Sequence, residues 1–246
     1  MRAVILAAGV GNRLGNTHSG PKSLLAFGGK SLLARHLDTL AALGVGHVAI
    51  CVGHEADRIR GEVETLNASD RVSTILNPDY REGSVVSLWT VRRYLEAGGD
   101  VLVMDADVLY DAAVLARLVT TGVTNCFLLD RDFEAGEEPV KLCLNRGLPV
   151  EFRKRLDPGL VYDLAGESVG FFRFSEAMGQ RLARRTEYYV DRGGRDQPYE
   201  EAIRDLLLET PDAFGYEDVT GMPWIEIDFP EDVARARDEI LPRLAA

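Results

Sequence analysis

The residues most able to do chemistry begin with a glycine-rich segment that is followed by two cations. Residues 6–14 read Leu-Ala-Ala-Gly-Val-Gly-Asn-Arg-Leu, and a Pro-Lys pair ending at Lys22 comes shortly after. Glycines let backbone N–H groups approach phosphate oxygens without a Cβ clash. Arg13 and Lys22 would add fixed positive charge beside a triphosphate. The segment predicts a phosphate-binding loop, although it lacks both the P-loop triplet and the third glycine of the dinucleotide fingerprint.

Two pairs of carboxylates, each at the end of an apolar run, could hold a divalent cation. Asp105 and Asp107 end a run in the middle of the chain, and Glu226 and Asp228 end another one. Residues two apart share a face of an extended strand, so each pair would present both carboxylates to one side. Hard oxygen ligands beside phosphates suit Mg²⁺. The first pair also fits helix-capping aspartates, and the spacing alone leaves that alternative open.

Strands must position both features, and apolar runs alternate with helical patterns as far as residue 130. We predict strands at 3–7, 47–52, 72–76, 101–104 and 126–129, and helices at 31–44, 55–66, 85–95 and 112–119. Continuous apolar strands that alternate with helices indicate a parallel sheet covered on both faces. Such a sheet binds ligands where its strands end, which is where the loop and the first carboxylates lie.

The pattern changes after residue 130, where shorter strands are separated by turns and charged residues. We predict strands at 140–144, 150–153, 168–174 and 224–227, helices near 176–185 and 199–208, and a last helix opened by Pro230. The predicted fold class is α/β, with a doubly wound, mostly parallel mixed sheet and a small antiparallel extension. We expect one domain over residues 1–246: a nucleotide-binding core (1–130), an acceptor-binding extension (131–222), and a returning strand with a C-terminal helix (223–246).

Composition and charge narrow the class of protein. The net charge of −11 disfavours nucleic acid or an anionic membrane as a partner. The first 37 residues nevertheless contain no Asp or Glu, which favours an anion in that part of the chain. The three cysteines lie in apolar runs without metal-ligand spacing and are expected to be reduced. Because there is no signal-peptide pattern and no apolar stretch of bilayer length, we expect a cytoplasmic location.

The loop and the two acidic strand ends together resemble the nucleotidyltransferase superfamily, which includes sugar-1-phosphate nucleotidylyltransferases and cytidylyltransferases. The resemblance implies that the loop wraps an NTP and that Arg13 and Lys22 are catalytic residues that stabilise the reacting phosphates. It implies Asp107 and Asp228 as the principal Mg²⁺ ligands. Asp105 and Glu226 would lie close behind these two ligands, and Asp105 is expected to contact the nucleotide. Nucleotide contacts within the loop are expected at Leu6, Ala7, Ala8, Gly9, Gly11 and Asn12.

Two further regions look like the parts of that superfamily that contact the base and the acceptor. The segment over residues 77–88 resembles the one that passes the base, although cytidylyltransferases for phosphocholine often carry Asn-Asn where this chain has Ser-Val. Contacts are expected there at Asn77, Gly83, Ser84 and Ser87. Lys141 is expected to act as a catalytic residue on the acceptor phosphate, unless it is a solvated strand lysine.

The acceptor side also includes an aromatic-acidic cluster at residues 188–201. This cluster could bind an ammonium group through cation–π and charge contacts, or it could be helix surface and core. The residues expected to contact the acceptor are Glu167, Tyr189, Tyr199, Glu200 and Glu226.

Three functions fit these observations. A cytidylyltransferase that joins CMP from CTP to phosphocholine, an aminoalkylphosphonate or a similar small anionic acceptor ranks first. The chain resembles such enzymes in its short length, its two acidic strand ends, and its Asn-Pro-Asp-Tyr segment with the Ser-Leu that follows. A hexose-1-phosphate nucleotidylyltransferase shares the loop but normally has a longer acceptor lobe. A noncatalytic nucleotide-binding regulatory module would not require Arg13, Lys22 and both acidic strand ends together. The expected partners are an NTP, expected to be CTP, and the acceptor; the sequence leaves a homodimer open.

Overall fold

The computed structural model describes residues 1–11, 13–14, 20–134 and 136–244. The strands are β1 (Arg2–Ala7), β2 (Ala26–Phe27), β3 (Lys30–Ser31), β4 (His47–Val52), β5 (Val72–Leu76), β6 (Val101–Asp105), β7 (Val108–Tyr110), β8 (Cys126–Asp130), β9 (Lys141–Asn145), β10 (Leu148–Arg153), β11 (Leu164–Phe174), β12 (Gly215–Asp218) and β13 (Trp224–Glu226). The α-helices are α1 (Leu32–Ala42), α2 (Ala56–Thr65), α3 (Ser84–Thr90), α4 (Arg92–Glu96), α5 (Ala112–Thr120), α6 (Glu176–Asp191), α7 (Tyr199–Glu209) and α8 (Pro230–Arg235).

The central sheet has a parallel half and an antiparallel half. The strand order is β10-β9-β11-β6-β1-β4-β5, and β8 pairs with both β11 and β12. Strands β5, β4, β1 and β6 run parallel, as predicted, and β11 pairs antiparallel with β6, β8 and β9. The predicted fold class, a largely parallel mixed α/β sheet, is confirmed.

Both faces of the sheet are covered, because successive residues of β1 belong to different hydrophobic clusters. Ala3 and Ile5 pack in one cluster with residues of α1, α2 and α5, whereas Val4 packs in a second cluster with α3, α6 and α7. Helix α1 begins where predicted, since the Ser31 hydroxyl accepts a hydrogen bond from the Ala34 N–H. None of the helices in the described part of the chain combines the length and the hydropathy that a bilayer span needs.

Some predicted elements differ from the observed ones. The strand predicted at 126–129 was expected to extend the parallel sheet, but β8 pairs antiparallel with β11, which takes the place beside β6. The antiparallel strands are therefore part of the central sheet. The helix predicted at 85–95 is divided at Val91 into α3 and α4. The short strands β7 and β12 were not predicted.

A two-stranded ribbon brings distant parts of the chain together. Strand β7 pairs antiparallel with β13, so that Val108 lies opposite Glu226. Just beyond the ribbon, the Ile227 N–H donates to the Asp107 carbonyl over 2.9 Å. A third hydrophobic cluster, which includes Phe27, Leu109 and Ile227, packs beneath this region. The ribbon therefore holds the chain after β6 beside the chain after β13.

Candidate active site

The phosphate loop and the first acidic strand end leave the sheet at the same edge. Strands β1 and β6 are parallel neighbours, and Leu6 lies opposite Asp105 in their register. The loop over residues 7–11 and the Asp105–Asp107 turn therefore follow the carboxyl ends of adjacent strands, where an open α/β sheet binds its ligands. The backbone at Gly11 has a positive φ of 68°, a conformation that favours glycine.

Three carboxylates converge at this edge. Asp107, Glu226 and Asp228 each offer an oxygen within 4.8 Å of the others. Asp107 comes from the turn after β6, and the other two come from the end of β13, so the β7–β13 ribbon sets their spacing. Hard carboxylate oxygens at this separation are suited to Mg²⁺. Burial and the charges of Asp107 and Asp228 raise the pKa of Glu226 well above its ordinary value.

Lys22 joins two of these carboxylates. Its Nζ lies 3.0 Å from Asp107 Oδ2 and 2.7 Å from Asp228 Oδ1, and the lysine side chain is only 13% exposed. Burial would lower the pKa of Lys22, but the charges of Asp107 and Asp228 and the hydrogen bonds to them raise it to about 12. The ammonium group is therefore charged throughout the neutral range and balances part of the negative charge.

Arg13 reaches the same carboxylates from the phosphate loop. Its guanidinium lies 3.1 Å from Asp228 and 2.8 Å from Glu138, and it also lies over the ring of Phe229. The side chain is 46% exposed, so the ion pairs with it are screened by water. The loop therefore contributes two cations of different kinds: a buried ammonium and an accessible guanidinium.

A cavity of about 690 Å³ opens between these groups. Its floor is formed by the loop and the acidic strand ends, and α7 and the segment after β5 form its walls. Of the residues predicted to bind the nucleotide, those that line it are Leu6, Ala7, Ala8, Gly9, Gly11, Ser84, Ser87 and Asp105. Arg13, Lys22, Asp107 and Asp228 line it as well. Asn12 lies outside the described residues.

Two residues of the predicted base-contacting segment do not reach the cavity. Asn77 is 1% exposed, and its side-chain amide donates to the Ser87 hydroxyl over 3.1 Å. It therefore supports Ser87 from behind the cavity wall. Gly83 packs against the loop before α7, where an added Cβ would lie 2.3 Å from the Gln197 carbonyl oxygen.

The start of α7 supplies the opposite wall of the cavity. The Tyr199 hydroxyl donates to Asp105 Oδ2 over 2.8 Å. Burial raises the pKa of Asp105 well above its ordinary value, and the nearby charges of Asp107, Glu200 and Glu226 act in the same direction. Glu200 lines the cavity, and its Oε2 is buried without a hydrogen-bond partner in the described part of the chain.

Two residues that were expected to contact the acceptor, Tyr189 and Lys141, do not line this cavity. Tyr189 donates from its hydroxyl to Asp205 on α7 and does not line the cavity. Lys141 Nζ donates to the backbone carbonyls of Pro139 and Lys154, over 3.1 and 2.7 Å. Tyr189 therefore joins α6 to α7, and Lys141 joins segments of the antiparallel half of the sheet.

Lys154 lines the cavity, although it was not among the residues predicted from the sequence. It follows β10 directly and lies with Tyr199, Glu200 and Glu226 among the lining residues. Its Nζ is 3.4 Å from Glu138. The signal that could have found it is the run of three cations, Arg-Lys-Arg at 153–155, at the end of a predicted strand.

A second cavity, of about 560 Å³, adjoins the first on the far side of Glu226 and Asp228. Glu167, which was expected to contact the acceptor, lines this second cavity. Burial and the charge of Asp130 raise the pKa of Glu167 to about 7. Among the described residues that line it, nine carry carboxylates and one, Arg235, is a cation. We refer to this space as the acidic cavity, and its charge favours a cationic occupant.

Gly170 lets β11 approach the acidic end of β6. Its φ is +77°, and an added Cβ would lie 2.3 Å from Asp105 Oδ2. Gly147 has a similar φ of +80° but has open space around it. We expect Gly147→Ala to lower the free energy of unfolding by about 1–2 kcal/mol, because of backbone strain alone. Gly170→Ala should lower it by the same amount and by a further contribution of about 1–3 kcal/mol, because the added methyl group clashes with Asp105. Chemical denaturation measures both, and equal losses would contradict the close approach.

The fold and the site together define a class of protein. A glycine turn after the first parallel strand, two cations and two acidic strand ends at one sheet edge are the features of a nucleotide-handling α/β protein that works on phosphates. Residues 3–157 match the MobA-like NTP transferase domain. The chain belongs to this family, which confirms the resemblance to nucleotidyltransferases and the enzyme class that it implied.

Relatives with described functions are similar over most of this chain. It is 27% identical over 241 residues to CMP-5'-(3-aminopropyl)phosphonate synthase of Streptomyces rubellomurinus, which covers 96% of this chain and 38% of that protein. It is 28% identical over 242 residues to a bifunctional IPC transferase and DIPP synthase of Rubrobacter xylanophilus, with 97% and 52% covered. The chain thus spans about half or less of the length of these two relatives.

Solved structures share the fold. The inositol-1-phosphate CTP transferase of T. maritima superposes with a TM-score of 0.75 at 20% identity, over 100% of this chain and 98% of that one. The CTP:phosphocholine cytidylyltransferase of Streptococcus pneumoniae superposes with a TM-score of 0.72 at 19% identity, over 96% and 97%. At these identities the similarity concerns the fold alone.

Proposed function

We propose that this protein is a Mg²⁺-dependent cytidylyltransferase that transfers CMP from CTP to a small phosphorylated or phosphonylated acceptor and releases pyrophosphate. The observation that carries the proposal is the contact of Lys22 with both Asp107 and Asp228 in the cavity that the phosphate loop lines. Mere binding of a nucleotide would not require a buried cation between two acidic strand ends. The name of the relative from Streptomyces rubellomurinus supports a CMP donor and a phosphonate acceptor.

The residues present fit a divalent cation. Asp107 and Asp228 would hold it, with Glu226 as a third oxygen donor, because their oxygens already lie within 4.8 Å of one another. When bound, the cation supplies charge neutralisation and orientation of the reacting phosphates. The protein's own cations, Lys22 and Arg13, would stabilise the negative charge that develops on the phosphate oxygens as pyrophosphate leaves.

The acceptor needs little activation by the protein. A phosphate or phosphonate oxygen is already anionic at neutral pH, so it can attack the α-phosphorus of CTP without a strong general base. The attack forms the new P–O bond and breaks the bond to the departing pyrophosphate, which takes the electron pair. Positioning and charge therefore account for most of the catalytic effect.

We place the acceptor between Lys154 and Glu200. Lys154 can hold the phosphoryl or phosphonyl group, because it lines the cavity whereas Lys141 is engaged by two backbone carbonyls. The Oε2 of Glu200, which has no hydrogen-bond partner among the described residues, can accept a hydrogen bond from an ammonium or hydroxyl group of the acceptor. The acidic cavity beyond Glu226 favours an acceptor with a cationic tail over a neutral sugar.

Replacing Lys154 with alanine is expected to raise the KM for the acceptor by about 10-fold, the scale of one lost charged hydrogen bond. The KM for CTP should change less than the KM for the acceptor, because Lys154 follows β10 and is not part of the phosphate loop, although Glu138 pairs with both Lys154 and Arg13. Lys141→Ala is the matched control from the same hairpin and should leave both constants unchanged. Steady-state kinetics with each substrate varied in turn measures the difference, and reversed effects of the two substitutions would place the acceptor on Lys141.

The proposed function is tested by pyrophosphate release across the four NTPs and a set of acceptors. The acceptors are phosphocholine, an aminoalkylphosphonate, the corresponding alkylphosphonate without the amine, inositol 1-phosphate and a hexose 1-phosphate. We expect release with CTP and the cationic acceptors, and release that is slower by roughly 10³-fold or more from Asp107→Asn protein purified in the same way. Release with hexose 1-phosphate alone would favour a sugar nucleotidylyltransferase. Nucleotide binding without release in any combination would favour a regulatory module.

A further inference from the structure

His36 lies beneath the acidic end of β6 and has no part in the function described so far. It belongs to α1 and is fully buried, with its ring stacked on Tyr110 and edge-on to Phe171. Its Nε2 lies 3.2 Å from the carbonyl oxygen of Ala106, the residue between Asp105 and Asp107. Its Nδ1 lies 3.2 Å from the Tyr110 hydroxyl. Both ring nitrogens therefore have polar partners.

The partners fix which nitrogen carries the proton. Burial lowers the pKa of His36 to about 4, so the ring is neutral and has one N–H. The Ala106 carbonyl can only accept a hydrogen bond, so Nε2 donates to it and Nδ1 accepts from the Tyr110 hydroxyl. The Tyr110 hydroxyl in turn bonds to Thr39, one turn further along α1. The result is a connected chain of hydrogen bonds from α1 to the Asp105–Asp107 turn.

This chain of hydrogen bonds reaches the Asp105–Asp107 turn directly and is connected to the second acidic strand end through the β7–β13 ribbon. The Ala106 carbonyl belongs to the peptide group that precedes Asp107, so the His36 N–H restrains the orientation of the turn. Tyr110 belongs to β7 and lies opposite Trp224 of β13, the strand that leads to Asp228. A phenylalanine at position 36 would supply similar apolar packing, but it would leave the Ala106 carbonyl without this donor.

We propose that His36 is a positioning residue that sets the spacing of Asp107 and Asp228 and thereby the affinity of the site for a divalent cation. The inference rests on the proposed function, because it takes these carboxylates to be cation ligands. Replacing a group that hydrogen-bonds to a metal ligand and orients it typically lowers metal affinity or activity by about 10–100-fold. Nucleotide contacts made by the phosphate loop do not pass through His36, so they should not change.

The test measures cation binding directly on the purified full chain. Mn²⁺ is titrated and followed by electron paramagnetic resonance, with and without a nonhydrolysable CTP analogue, and binding of the analogue is measured separately in EDTA. We expect His36→Phe to weaken Mn²⁺ binding by about 10-fold or more while binding of the analogue in EDTA is unchanged. His36→Gln, whose amide N–H can reach the Ala106 carbonyl, should recover most of the affinity. His47→Phe, at an exposed histidine that begins β4, is the matched control.

Wild-type Mn²⁺ affinity in a folded His36→Phe protein would overturn the inference, and so would equal losses in the phenylalanine and glutamine variants. If His36→Phe does not fold, Tyr110→Phe decides, because it removes only the hydroxyl that holds Nδ1. Weaker Mn²⁺ binding in that variant supports the inference and unchanged binding overturns it. Failure of the wild-type protein to bind Mn²⁺ under any of these conditions would instead refute the proposed function.

Discussion

Replacing Asp107 with asparagine is expected to lower turnover by roughly 10³-fold or more, since removal of one preorganised donor already costs about 10²–10³-fold in other enzymes. Asp107 contributes to the proposed cation site and also holds Lys22, so the substitution removes two stabilising contacts at once. The asparagine is nearly isosteric, and Asp107 is 22% exposed, so the fold should persist. Turnover measured across a magnesium titration checks the expectation.

A surface carboxylate provides the control for this substitution. Asp38 pairs with Lys30 on the exposed side of α1, away from the cavity, and exposed ion pairs contribute little. Asp38→Asn changes the net charge by the same amount and should leave turnover at the wild-type level. If Asp107→Asn protein kept the wild-type dependence on magnesium, the assignment of Asp107 as a cation ligand would be wrong.

The second large effect is expected at Lys22, where substitution by alanine should lower turnover by roughly 10²-fold or more. The lysine side chain is 13% exposed and would stabilise the reacting phosphates in the proposed reaction, and its pKa of about 12 keeps it charged in any assay near neutral pH. Lys30→Ala is the matched control, because it removes a positive charge from an exposed lysine, the one that pairs with Asp38. Initial rates under saturating CTP measure the difference between the two variants.

The Lys22 substitution also has a structural consequence that does not depend on activity. Without the ammonium group, Asp107 and Asp228 lose a partner that lies within 3.0 Å of both. The two like-charged carboxylates then repel each other. Added Mg²⁺ should therefore raise the melting temperature of Lys22→Ala more than that of the wild-type protein. Equal increases in melting temperature would show that Lys22 does not balance the charge of these carboxylates.

The parts of the site that follow a single strand could be predicted from the sequence. The loop after β1 and the carboxylates after β6 and β13 are local patterns, in which an apolar strand is followed directly by polar residues. A parallel sheet places such strand ends at one edge, so their convergence follows from the predicted order of strands and helices. The structure places Asp107 and Asp228 in one cluster, although their roles stay predictions.

The acceptor side could not be predicted in the same way, because it depends on pairing within the antiparallel half of the sheet. Lys141 and Lys154 both belong to the β9–β10 hairpin, and only its register with β11 decides which of them faces the cavity. Tyr189 and Tyr199 are close in sequence, but the turn between α6 and α7 separates them, and only Tyr199 reaches Asp105.

Buried supporting residues were missed for a related reason. His36 has no ligand spacing in the sequence, and its importance comes from a carbonyl 70 residues away. Asn77 was expected to contact the base because its segment resembles the one that passes the base in the superfamily, yet it supports Ser87 instead. Such contacts depend on side-chain direction within the packed core, which local patterns do not determine.

The central claim is that CTP lies over the glycine turn with a divalent cation held between Asp107 and Asp228. A crystal structure of the wild-type protein with Mg²⁺ and a nonhydrolysable CTP analogue tests it most directly. We predict one cation bound by both carboxylates, with the triphosphate against the backbone of residues 8–11 and within reach of Lys22. A nucleotide bound away from this turn, or a cation that contacts neither Asp107 nor Asp228, would contradict the claim.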